Sequence, residues 1–358
     1  KFMKYNGEMQ NFVPHGDGRM DYENGAFYEG TWNNGQKHGF GRYHYPDGSE
    51  YVGQWKNNKV DGNGTCQFAN GDVYEGQWRD HKIHGEGRLT KQSGEIYVGT
   101  WVSGERHGHG TQTIGGEEEY TGEWANDVRH GFGTTKYFQD GQVVEAYEGQ
   151  YADGEIHGKG VYIYANGDRF EGQFEAGEKH GQGVYQSSED QTVYQGEYAR
   201  DERSGFGVIT GPNFRYEGQF AGDKFSGRGK MTLGEAVYDG QWLDGMRHGQ
   251  GIQKTGDGSV YEGSFFQDKY EGKGVMMYGN GCKYEGDWRQ DLRDGQGVFW
   301  DPLQNCYKGG YLKGRKHGKG DLVFKGVGVI GVRFNNGQIE ETTSFQFDKA
   351  SDWCDPEF

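Results

Sequence analysis

Proline and cysteine are scarce in this sequence, and long apolar runs are missing. Four cysteines (Cys66, Cys282, Cys306, Cys354) at irregular spacing do not make a disulfide framework. The longest apolar stretch, the Val/Ile run within Gly326 to Val332, is interrupted by glycine and falls far short of a bilayer span. No apolar run of signal-peptide type follows Lys1, so a reducing cytoplasm is the expected address. Hydrophobic residues make up only 32 % of the chain and the formal charge is −16, a balance that on its own points to disorder and disfavours nucleic acid as a partner.

What the sequence does have is glycine and aromatic rings: 68 Gly, 25 Tyr, 21 Phe and 9 Trp. Rings bury more area than other side chains, so a chain this rich in them can build a core if they are placed in order. They are. A Tyr-x-Gly-x-aromatic unit begins at Tyr5, Tyr28, Tyr51, Tyr74, Tyr97, Tyr120, Tyr147, Phe170, Tyr194, Tyr216, Tyr238, Tyr261, Tyr284 and Tyr307. Nine of the thirteen intervals are 23 residues, and the longest, 27, precedes Tyr147. A worn copy, Ile330-Gly331-Val332-Arg333-Phe334, follows at the same spacing. Each unit is followed by His-Gly-x-Gly, in which Asp61, Ser204, Ser226, Glu271 or Asp294 replaces some of the histidines. Self-similarity at this period defines a tandem array of about fifteen repeats over residues 1–337, with a tail at 338–358.

Alternation sets the local structure. Residues i, i+2 and i+4 of a strand share a face, so Tyr74, Gly76 and Trp78 lie on one side and Glu75 and Gln77 on the other. Gly158, Gly160, Tyr162 and Tyr164 follow the same rule, and segments such as Asn33-Asn34-Gly35 carry turn chemistry. Each repeat reads as a β-hairpin with one aromatic and one polar face. Strand glycines leave slots for neighbouring rings. The expected fold is all-β: an elongated, single-layer antiparallel sheet of tandem hairpins, a rod or trough, with the 27-residue interval as a candidate bend.

Tyr-x-Gly-x-Trp followed by His-Gly-x-Gly resembles the MORN repeat (membrane occupation and recognition nexus). The resemblance implies a non-enzymatic scaffold, similar to the all-repeat proteins that organise cytoskeletal structures in protists. Its alternatives are a peripheral phosphoinositide-binding tether and a radial-spoke-type component of the ciliary axoneme. Expected partners are cytoskeletal or flagellar proteins and a second copy of the chain.

Candidate sites follow from placement. An aromatic groove is expected from Tyr28, Trp32, Tyr51, Trp55, Tyr74, Trp78, Tyr97, Trp101, Tyr120, Trp124, Tyr238, Trp242, Tyr284 and Trp288, on which a partner segment stacks. The apolar C-terminal residues Leu322, Phe324, Val327, Val329, Ile330, Phe334, Phe345, Phe347 and Trp353 are expected to cap the array or form a homodimer. Lys37, Arg106, Arg129, Lys179, Arg203, Arg247, Arg293 and Lys316 directly precede the His-Gly place and would line one edge, either as a weak phosphoinositide contact or as a solvated row balanced by glutamates. The His-Gly histidines lie in successive repeats too far apart to share an ion, and their replacement by Asp, Ser or Glu fits a turn-stabilising polar group. A zinc ion bridging chains through Cys306 with Asp301 or His317 is the metal alternative. Gly-x-Gly without a phosphate-loop Lys-Ser/Thr is no nucleotide site. No catalytic residue and no cofactor is expected.

Overall fold

The structure, a computed structural model, describes residues 3–348, and Trp353 and Cys354 lie outside them. Among the described residues every regular element is a strand, from β1 (Lys4–Gln10) to β30 (Gln338–Phe347), numbered in chain order. The chain divides into two compact units, residues 1–179 and 180–358. Within each unit sequence neighbours pair antiparallel in a single layer, as the hairpin reading requires.

One repeat shows why the signature folds this way. β3 (Phe27–Asn33) and β4 (Gln36–His44) are joined by Asn34-Gly35, both with positive φ (48° and 78°), the geometry whose twist suits a two-residue hairpin. Gly30 stands opposite Gly41 and Trp32 opposite Lys37, so His38, Gly39 and Phe40 together face the single residue Thr31. This is a bulge, and its glycine adopts the left-handed backbone. The corresponding glycine in the other repeats does the same, with φ between 55° and 116°.

The second glycine of the motif has a different role. The Tyr28 ring lies across Gly30 and Gly41, and a β-carbon on Gly41 would stand inside that ring's van der Waals surface. The Tyr28 hydroxyl donates to the Thr31 carbonyl (3.0 Å), beside the bulge where the ladder register breaks. Tyr51 to Gln54 (3.1 Å), Tyr120 to Glu123 (2.8 Å) and Tyr284 to Asp287 (3.0 Å) repeat the bond. Trp32 Nε1 donates back to the Gly18 carbonyl of the preceding repeat (3.0 Å), as Trp124 does to Gly110 (3.2 Å). Tyr28 is met edge-on by two rings, Trp32 and Trp55 at 5.0 and 5.2 Å, whereas Tyr5, with Met9 at the following place, meets Trp32 alone among the described residues. The core of each unit is therefore one row of rings on one face, linked from repeat to repeat.

The short turns are stapled in the same direction. The Asp127 N–H donates to the Arg106 carbonyl (3.1 Å), and Asp127 Oδ1 accepts from the Arg106 N–H (2.9 Å). Asn58 with Lys37 and Asp268 with Arg247 make the same reciprocal pair. Around the 27-residue interval, β12 (Val128–Gln139) and β13 (Gln142–Ala152) are lengthened. Gly133 still faces Gly149 and Thr135 faces Tyr147, so the extra residues extend the hairpin without shifting the glycine ladder.

The last hairpin differs by compensation. Ile330 stands where the tyrosine would, and Val332 where its glycine would. With no ring to cover the slot, the Val332 side chain fills it and is 1 % exposed. Residues 338–347, expected in a tail, form β30 and pair with β29 (Gly328–Asn335).

Candidate interaction surfaces

The expected groove aromatics are core. Tyr28, Trp32, Tyr51, Trp55, Tyr74, Tyr97, Trp101, Tyr120, Trp124, Tyr238, Trp242, Tyr284 and Trp288 are buried, and Trp78 is half-buried. Their expected exposure is corrected for a simple reason: each tyrosine is covered by the following repeat's large ring and by the residue before the His-Gly place. Rings only half-buried on this face come from the second strands or the residue just past them, among them Tyr43, Tyr45, Phe68, Tyr162 and Phe299.

The expected cationic edge is corrected as well, because these side chains fold inward. Lys37 Nζ lies 4.3 Å from the Tyr43 ring centre and 4.6 Å from that of Trp55, and Arg106 Cζ lies 4.2 Å from that of Trp124. Arg106, Arg203 and Arg247 also pair with Asp127, Asp223 and Asp268 at 3.2, 2.9 and 3.0 Å. Burial pushes the Lys37 amine down to about 8 and lowers that of Lys316 too. In other copies Phe225 and Tyr270 take this place and stack at 3.9 Å on Tyr216 and Tyr261, while Val60 takes it and is buried. A place that takes cation, aliphatic and aromatic side chains alike fills a box of rings.

The His-Gly place supplies an acceptor. His84 Nδ1 accepts from the Ser103 N–H of the next short turn (3.4 Å) and His317 Nδ1 from Asn336 (3.5 Å). The Glu271 and Asp294 carboxylates take the equivalent bond from Gln290 and Lys313 (both 3.0 Å), so an acid can replace the histidine here, whereas Nδ1 of His15 and His38 is buried without a hydrogen-bond partner among the described residues. Cys306 faces Val323 while His317 follows Lys316, which faces Tyr311, so the two sit at opposite ends of one hairpin, roughly 20 Å apart. Asp301 accepts from the backbone and side-chain amides of Asn305 (both 2.9 Å). The chain itself does not draw these three together.

One structural residue escaped the sequence reading. Gln54 Oε1 accepts the Asn63 N–H inside the bulge (2.8 Å), and Gln150, Gln241 and Asp287 do the same for Lys159, Gln250 and Gln296 (2.9, 2.8 and 2.8 Å). The recurrence of Gln, Glu or Asp between the signature Gly and its ring was the available signal.

At the C-terminal end, Phe334 is buried against Tyr307 (5.2 Å between ring centres) and belongs to the core. Leu322, Val329 and Ile330 are half-buried. Phe324, Val327, Phe345 and Phe347 are exposed, and Trp353 is outside the described residues. β30 is exposed along its whole length and pairs with β29 alone among the described residues. In the second unit the polar face also carries an open cleft of about 680 Å³, lined by Glu262, Lys273, Val275, Glu285, Val298, Trp300 and Lys308.

Glycine slots under rings, bulged second strands and stapled turns together define a tandem β-hairpin repeat protein. The MORN repeat model matches residues 28–50, 51–73, 74–96, 97–115, 120–141, 147–169, 170–190, 194–214, 216–234, 238–260, 261–283, 284–302 and 307–326, and the chain belongs to the MORN-repeat family. The hairpins that start at Tyr5 and Ile330 lie outside those matches and share the pairing. No curated protein matches the chain. A solved structure of the SAS-4 (dCPAP) TCP domain in complex with a proline-rich motif of Ana2 (dSTIL) from Drosophila melanogaster is similar, at 11 % identity. The likeness covers 72 % of this chain and 89 % of that one at a TM-score of 0.14, too low to carry any inference about function.

Proposed function

We propose that this protein is a non-enzymatic scaffold that organises a cytoskeletal or flagellar assembly, acting as a homodimer joined through its last hairpins. Many of its signature side chains are engaged in building the sheet: tyrosines over glycine slots, His84, His317, Glu271 and Asp294 on turn amides, cations on rings. Contacts with other proteins then fall to residues between the signature positions and to the end of the array. The observation that carries the reading is β30, an exposed edge strand with Ile339, Phe345 and Phe347 at 55, 49 and 44 % exposure. An edge of this kind templates pairing with another chain. The phosphoinositide tether has less behind it, since the cations it needs are folded onto rings, and the radial-spoke role differs from the scaffold in address.

The test is detergent extraction of cells carrying a tagged copy, followed by microscopy of the insoluble residue. Retention on discrete cytoskeletal or flagellar structures is expected. Complete release with the lipids would remove the scaffold reading.

A further inference from the structure

The polar face of the first unit holds an electrostatic anomaly. β5 (Glu50–Lys56) and β6 (Lys59–Gln67) form one hairpin, and β7 (Val73–Arg79) and β8 (Lys82–Thr90) the next. At their short turns Lys56 stands directly opposite Lys59, and Arg79 directly opposite Lys82. Like charges facing one another across a ladder are destabilising. The corresponding pairs Asn33–Gln36, Val102–Glu105, Ala125–Val128 and Ala152–Glu155 carry at most one charge. All four cations are exposed, in a protein whose net charge is −16. Asp80 pairs with Lys59 (2.6 Å), and no carboxylate pairs with Lys56, Arg79 or Lys82 among the described residues. Burial, and after it the charges of Lys37 and Lys59, depress the neighbouring His81 imidazole, with Asp80 acting in the opposite sense.

We propose that Lys56, Lys59, Arg79 and Lys82 form a docking line for an acidic, extended polypeptide segment of a partner protein. The geometry selects a strand-like occupant. The four side chains sit on consecutive strands and span about 14 Å across them, and alternate residues i, i+2 and i+4 of an extended chain span about 13 Å. Acidic residues at those three positions meet the row on one face. Asp61 and Asp80 act on Lys59, and Glu75, Glu86 and Glu105 share the same face of the sheet. A narrow segment along the row meets fewer of these carboxylates than a flat anionic membrane would. The inference deepens the scaffold reading by naming the chemistry of one partner contact.

The test is fluorescence anisotropy on the purified full chain with a labelled Glu-Ala-Glu-Ala-Glu peptide and its Gln-Ala-Gln-Ala-Gln counterpart. Binding of the acidic peptide alone is expected, weakening with salt. The K56Q/R79Q variant should bind at least about tenfold more weakly, while K224Q/K313Q, outside the row, should match the wild type. The midpoint of thermal unfolding of K56Q/R79Q should equal or exceed the wild-type value, because both like-charge pairs are relieved. Absence of binding, equal binding by K56Q/R79Q, or a fall in its unfolding midpoint would overturn the proposal. So would capture of phosphoinositide-containing vesicles that depends on these four residues while the peptide fails, or self-association of the chain that K56Q/R79Q abolishes. Detergent retention in cells tests the scaffold reading separately, so either reading can fail without the other.

Discussion

The phenol ring of Tyr51 occupies the space that a β-carbon on Gly64 would need, and the three atoms nearest that point all belong to this ring and its hydroxyl. Gly64→Ala therefore overpacks against one side chain, and should cost about 1–3 kcal/mol. Shortening that side chain relieves the clash. The double variant Y51L/G64A should lose less than the sum of the single losses, by about 0.5 kcal/mol or more. Urea unfolding of the four proteins checks this, and strict additivity would contradict the glycine-slot account.

Tyr74 donates to the Gln77 carbonyl at 3.1 Å. Tyr74→Phe keeps the ring and removes the bond, so a loss of about 1 kcal/mol is expected with the fold intact. The chain already holds a phenylalanine at this place, Phe170, which is fully buried. Circular dichroism during thermal unfolding measures the shift.

Alkali should unfold the protein through its tyrosines. Burial pushes Tyr22, Tyr45, Tyr97, Tyr194 and Tyr238 up to about 12, and Tyr28, Tyr51 and Tyr74 higher still. Unfolded tyrosine ionises near pH ~10. Between about pH 10 and 12 the unfolded state releases protons that the folded state keeps, so the contribution to stability is complete below 10 and falls as pH rises. Phenolate absorbance at 295 nm should appear together with loss of the strand signal. Phenolates forming near pH 10 in an intact sheet would contradict this.

Lys37 acts in the opposite sense over a lower range. Its amine is lowered to about 8 by burial among rings, against an unfolded value near ~10.4. Between about pH 8 and 10 the unfolded state binds the proton and the folded state does not, so this residue makes stability rise with pH. Lys37→Met leaves an apolar side chain in the same box, as Val60 and Ile83 do in the next repeats. The variant should be at least as stable at pH 7 and lack the rise. Urea midpoints at pH 7, 8 and 9.5 for both proteins make the comparison.

Much of this fold was legible because its period is short and its glycines are fixed in place. Tyr28, Gly30 and Trp32 announce a strand face by spacing alone, and Asn34-Gly35 announces the turn. The bulge was not legible: alternation through His38, Gly39 and Phe40 looks continuous, and only the pairing of Gly30 with Gly41 shows that three residues face one. Exposure failed for a related reason. Spacing puts Tyr51 and Trp55 on an aromatic face, but it does not say that Trp78, one repeat later, closes over Tyr51 at 5.5 Å. The inward folding of Lys37 and Arg247 likewise depends on rings brought close by pairing. The Lys56–Lys59 and Arg79–Lys82 oppositions became visible once the register was known.

The docking role proposed for the last hairpin rests on its exposure. Ile339→Ser, Phe345→Ser and Phe347→Ser together remove apolar area from an edge strand that covers no other repeat, so the array should stay folded while self-association is lost. Light scattering at micromolar concentration should give a dimer for the wild type and a monomer for the triple variant. A monomeric wild type would contradict the dimer.

The most direct test of the scaffold itself combines these elements in cells. Tagged wild type and the I339S/F345S/F347S variant are extracted with detergent, and the insoluble residue is imaged. The account predicts wild-type protein on discrete cytoskeletal or flagellar structures and release of the folded variant. Wild-type protein that leaves with the lipids, or a variant retained as well as the wild type, would contradict it.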